Sequence, residues 1–217
     1  IEYKYIIFKR LNFMNFWLYC YATICLGCFL NPCIKVWLGS EYCLSVSTVD
    51  LLAIVFLIPG LNNVINIYKD ACGLFKEVQF RALATALVNL IISIILVKNI
   101  GINGVYIGTI IAYLTTIYMV DPRVVFSKVF KIRAVFYYRE LLKKSILFGL
   151  LYGMCKLLMR QFIIESWFGL IFYFLLISGI VNGCLFIIYG HTQEFVYLKN
   201  IILELLHRLN RKEKIKK

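Results

Sequence analysis

Residues 154–162 read MCKLLMRQF and place two cations, Lys156 and Arg160, one helical turn apart inside an apolar stretch. On a helix, Gly149, Gly153, Lys156 and Arg160 fall within about 60° of one another. That face is small toward one end and cationic toward the other. A charge at mid-bilayer costs at least ~2.5–3.5 kcal/mol on insertion scales, so an ionisable residue there is a functional candidate by default. Phosphate suits this pair as a partner, because Arg engages its oxygens in bidentate fashion while Lys acts as a point charge. The alternative is snorkelling, in which long stems lift the charges to a membrane boundary. Arg160 lies nearer that boundary than Lys156, and Glu165 is at hand to pair with it.

A second set of polar residues lies on other segments. Pro59, Asn62, Asn63 and Asn66 recur at 3–4 residue spacing, with Asp70 beyond them, and Thr85, Asn89 and Ser93 are spaced i, i+4, i+8. Amides near a proline can line a wet cavity, which makes Asn62, Asn63, Asn66, Asn89 and Ser93 candidate cavity residues. They can equally hydrogen-bond between helices.

The elements that must position these groups are set by composition. The chain is 62% hydrophobic with a mean hydropathy of +0.82, against about 45–50% apolar residues in soluble domains. Lipid must cover much of that surface. Six apolar segments run about 11–30, 46–67, 82–97, 102–120, 145–164 and 168–189, each near the length that crosses a bilayer. Backbone satisfaction in lipid makes them helices, and the alternation of a membrane β-barrel is absent. The expected fold is an all-α polytopic membrane protein. Asn31-Pro32 is expected to stop the first span and Ser47 or Thr48 to cap the second.

Twenty of the 24 Lys and Arg fall in the N-terminal tail, the 68–81 and 121–144 connections and the C-terminal tail. With six spans, the positive-inside rule puts both termini in the cytoplasm. The net charge of +13 is then a topology signal and a match to anionic membrane lipids. No basic soluble module is present for a nucleic acid.

Most of the eight cysteines read as small apolar packers, Cys25 and Cys28 of the CxxC included. Only Cys33 and Cys43 reach the outer side, where a disulfide is admissible. His191 and His207 lie in the tail, and neither a metal nor a cofactor is expected. In that tail Phe195, Leu198, Ile202, Leu205 and Leu209 alternate with Lys199, Arg208 and Arg211, the pattern of an amphipathic helix on the inner leaflet.

The order WLGSEY, a Pro/Asn span, then ACGLFKEVQFRALATALVNLIISIILVKNIGINGVYIGTIIAY resembles the C-terminal part of the polysaccharide repeat-unit flippases. These are the O-antigen and capsule exporters of the MATE-related superfamily. Trp37, Leu38, Gly39 and Tyr42 match its outer loop and Gly73 its cytoplasmic turn. Asn89, Ser93, Gly101, Gly104, Gly108 and Thr109 match its hairpin, and Glu194 and Phe195 its tail. The likeness runs from about residue 10 to 207, and it lies in the order of motifs rather than in any single one.

The resemblance implies a transporter that flips a polyprenyl-diphosphate-linked oligosaccharide across the bacterial cytoplasmic membrane. Residues 1–120 would be four helices of an incomplete C-terminal lobe and 121–144 a basic cytoplasmic connection. Residues 145–190 would be an appended helix pair, as in lipid II flippases, and 191–217 a basic cytoplasmic tail. The partner would be the N-terminal lobe of the same transporter. The chain opens at Ile1 without a signal-peptide pattern, and a fragment of a longer flippase is the expectation. On this reading Lys156 and Arg160 bind substrate.

Two rivals are weaker. A polymerase or acyltransferase needs positioned acid–base groups, and the outer loops offer only Glu41 and Glu165, with Asp50 near the surface. A MATE-like exporter of cationic small molecules would favour acidic residues in its spans.

Overall fold

A computed structural model describes residues 2–201 and 204. Among these residues the chain is all-helical and contains no strand. The helices are α1 (Glu2–Trp37), α2 (Val46–Ala71), α3 (Arg81–Ile100), α4 (Asn103–Ala112), α5 (Tyr118–Val125), α6 (Val135–Met159) and α7 (Trp167–Tyr189). Five helical stretches are long and apolar enough to cross a membrane: α1, α2, Lys76–Ile100, Asn103–Phe130 and α7. The fourth is one rod, in which π turns at Tyr113–Ile117 and Phe126–Phe130 bracket α5.

The fifth expected segment, 145–164, is not a helix over its full extent. The helix runs instead from Val135 to Met159, so Arg160 is its C-cap. Every 18-residue stretch of α6 contains at least three charged residues, which separates it from the other five. The 121–144 connection is likewise mostly helical, holding the end of the 103–130 rod and the first turns of α6. Charge density suggested a loop, but the interfacial ends of helices tolerate charge equally well.

α1 is the common wall, with α2, α6 and α7 all packed against it. Phe16, Cys20, Ile24, Leu57, Leu151, Cys155, Val181 and Leu185 form the main core. A second core, Phe8, Val64, Ile65, Val125, Phe126, Phe130 and Tyr137, closes the basic end. Its rings meet edge to face, as Phe8–Phe126 do at 5.5 Å and 87°. α3 has no buried residue; it packs mainly beside α4 and the turn that follows, and its outer face is apolar from Ala82 to Val97.

Pro32 does not end α1, which continues to Trp37. The Asn31 side chain explains how the last turns are held. Its amide donates to Leu44 O at 2.7 Å and its oxygen accepts from Leu44 N at 3.0 Å, clipping the returning chain to the helix. α2 is capped by Ser45, whose hydroxyl accepts from Thr48 N at 3.1 Å, rather than by Ser47 or Thr48. Thr48 Oγ1 instead donates to Asn103 Oδ1 at 2.8 Å, joining the starts of α2 and α4. The carbonyl of Tyr118, four residues before Pro122 and so without its helical donor, accepts from Tyr138 OH at 2.7 Å.

All eight cysteines are free thiols, Cys33 and Cys43 included. The tail is helical over 193–201, while Ile202, Leu205, Arg208, Leu209 and Arg211 lie outside the described residues.

Gly104 is where the α3–α4 hairpin closes. A Cβ there would sit 2.6 Å from the Leu96 and Val97 backbone, which no side-chain movement relieves. Gly104→Leu is therefore expected to lower stability by about 1–3 kcal/mol through overpacking, read as a fall in melting temperature in detergent. Leu at Gly149, which has open space around it, should leave the melt nearly unchanged.

Candidate functional site

Lys156 stands in the last turn of α6, opposite the start of α2. Its ammonium reaches Asp50 Oδ1 at 2.7 Å and donates to Gly27 O at 3.3 Å. Gly27 precedes the Pro32 turn, where α1 lacks one backbone donor. Tyr152, one turn back on α6, donates its hydroxyl to the same Asp50 oxygen at 2.5 Å. The expected mid-membrane cation therefore has an intramolecular counter-ion. Sequence reading placed Asp50 near the surface and did not join it to Lys156.

Arg160 caps α6 and is exposed; among the described residues it makes no ion pair. Glu165 does not pair with it. That carboxylate faces Lys35 at the end of α1, at 3.4 Å across an exposed gap.

These groups surround one cavity of about 360 Å³. Lys35, Lys156 and Arg160 line it together with Asn31, and Cys28, Val46, Val49, Met159, Phe162 and Ile163 supply apolar walls. Asp50 and Glu165 are not in its lining. The fold thus brings Lys156 and Arg160 to one hollow and adds Lys35, which sequence reading assigned only to an outer loop.

The five candidate cavity residues go elsewhere, and none of them lines this hollow. Asn63 donates to Asn15 of α1 at 3.4 Å, Asn66 accepts from Lys69 at 3.1 Å, and Ser93 donates to Asn89 at 2.8 Å beside Gly108. Asn62 is fully buried and faces Asp121 without hydrogen-bond geometry. Helix-to-helix connection, the second of the two readings open from sequence, describes Asn63 directly.

Asp121 is the residue that sequence analysis missed. It is fully buried, ion-paired with Arg81 of α3 and 3.8 Å from Lys69 of α2. Thr85 and Thr116 hydrogen-bond just above at 2.8 Å. The signal was available: YMVDPRVV sets a lone carboxylate at the end of an apolar run, between two basic connections. Among the described residues no three His, Cys, Asp or Glu converge to hold a metal.

No family model, curated protein or solved structure matches the chain.

Breaking a buried ion pair strands the remaining charge and costs about 3–5 kcal/mol. Arg81→Gln should lower stability by about that amount, and adding Asp121→Asn should recover most of the loss, since no stranded carboxylate then remains. Thermal melts of the two single variants and the double variant would measure the coupling; additive losses would show that the pair is not energetically joined.

Proposed function

We propose that this chain belongs to a transporter that carries a polyprenyl-diphosphate-linked oligosaccharide across the bacterial cytoplasmic membrane for surface polysaccharide synthesis. The cavity between α1, α2 and α6 meets the diphosphate headgroup. The observation that carries this reading is the cavity itself, in which three side-chain cations stand over apolar walls. A diphosphate on a polyprenol presents the complementary pair, anionic oxygens next to hydrocarbon. The motif order from WLGSEY to GINGVYIGT supports the glycan-lipid class among anionic lipids.

In this reading α6 crosses the bilayer as a sixth span, with Lys144 and Lys156 turned inward onto α1 and α2. Lys144 donates to Asn12 O at 3.1 Å and lies over the Phe16 ring at 5.3 Å. The basic end, which holds Lys69, Arg81 and the connection before α6, faces the cytoplasm by the positive-inside rule. Both described carboxylates near the cavity are tied to lysines, which argues against acid–base catalysis there. Asp121 is held by Arg81 and Lys69, leaving no net negative charge for a cationic drug.

Two measurements test the proposal. In the full-length protein, Lys156→Gln should cut surface polysaccharide roughly ten-fold or more, the worth of one charge-assisted hydrogen bond. Its membrane abundance should not change, and undiminished polysaccharide would sink the reading. For orientation, a variant retaining only Cys43 should react with a membrane-impermeant maleimide in intact cells. One retaining only the exposed Cys72 should react only after permeabilisation; the reverse pattern would invert the topology.

A further inference from the structure

We propose that Asp50 is an internal counter-ion which the incoming headgroup displaces, taking Lys156 over, so that the site discriminates doubly charged anions from singly charged ones. The inference rests on the anion-site reading above and concerns how that site is regulated.

The two partners are not equally dependent on each other. Asp50 Oδ1 accepts from Tyr152 OH as well as from Lys156, and its side chain is 35% exposed. The Tyr152 bond and the exposure remain if Lys156 leaves. Lys156 is only 20% exposed and is packed beside Cys28 and Met159 at the cavity wall. Without Asp50 it keeps a single carbonyl, Gly27 O, for an ammonium with three N–H donors. Lys156 needs an anion; Asp50 does not need Lys156.

The geometry also sets an order. Lys156 lines the cavity while Asp50 lies outside its lining. Arg160 lines the same cavity, is exposed and makes no ion pair among the described residues, so it is open to an anion. One negative charge is satisfied by Arg160 alone and leaves the Lys156–Asp50 pair intact. A second charge on the same headgroup can replace Asp50 at the lysine. Exchange removes one of the two bonds that join the start of α2 to the end of α6, the ion pair, and leaves the Tyr152 hydrogen bond in place.

The test is binding of farnesyl diphosphate and of methyl farnesyl phosphate, a phosphodiester with a single negative charge, to the purified full-length protein in detergent, by titration calorimetry. Asp50→Asn removes the competitor and should tighten diphosphate binding by ~ten-fold, and the phosphodiester by at least as much, because Lys156 then lies open to a single charge as well. Tyr152→Phe leaves Asp50 more fully to Lys156 and should weaken diphosphate binding. Opposite signs are the expected result, with thermal melts run on each variant. A shift in the same direction for both, tracking lost melting temperature, makes Asp50 a structural partner and overturns the exchange. Binding that Lys156→Gln abolishes but Asp50→Asn fails to tighten also overturns it, while leaving the anion site standing. A wild-type protein that binds neither farnesyl compound overturns the anion-site reading itself. Inorganic pyrophosphate binding as tightly as farnesyl diphosphate overturns the lipid headgroup as occupant.

Discussion

On the proposed reading α6 crosses a hydrocarbon core of about 30 Å, yet Lys144 and Lys156 stand twelve positions apart, about 18 Å of helix. A helix with so short an apolar run depends on partners that cover its charges. α1 supplies Asn12 O for the lower lysine and Gly27 O for the upper, and α2 supplies Asp50. The length of α1 and its contact with three other helices place those acceptors at the required heights.

α2 shows the complementary arrangement. It carries Asp50 at one end and Lys69 at the other, with Pro59 between them. The first binds α6, and the second belongs to the cluster that holds α3 and α5 through Asp121. Near Pro59, Ile58 O accepts from Tyr118 OH at 2.6 Å and Gly60 O from Asn15 at 2.7 Å. Side chains from α1 and α5 thus bond the carbonyls on either side of Pro59 and tie α2 to its neighbours.

How much of this was legible in sequence depended on whether a feature was local. The apolar segments of α2, α3, α4 and α7 were readable because hydropathy is a sum over neighbours, and Gly104 and Gly108 because their spacing states their contact. α6 starts ten residues before the apolar segment read from sequence, because Arg139, Glu140 and Lys143 sit exposed on its first turns, and a hydropathy window reads exposed charge as loop. Pro32 was misread as a stop because the contact that holds the helix end, the Asn31 side chain on Leu44, lies thirteen positions ahead in the chain. The Lys156 and Arg160 pair was visible as an anomaly, yet its meaning depended on Asp50, 106 positions away in the chain. Asp121 was passed over because a carboxylate among basic residues looks like part of a loop until the rod that carries it is known to continue.

The groups that cover α6 have one further property in common. Asn12, Gly27 and Asp50 all precede it in the chain. In a protein threaded into a membrane from its N-terminus, a helix too charged to enter alone would arrive where its acceptors already stand. Under the proposed topology the earlier helices act as a template for insertion of the later one, and the order of segments along the gene becomes part of how the bundle is assembled.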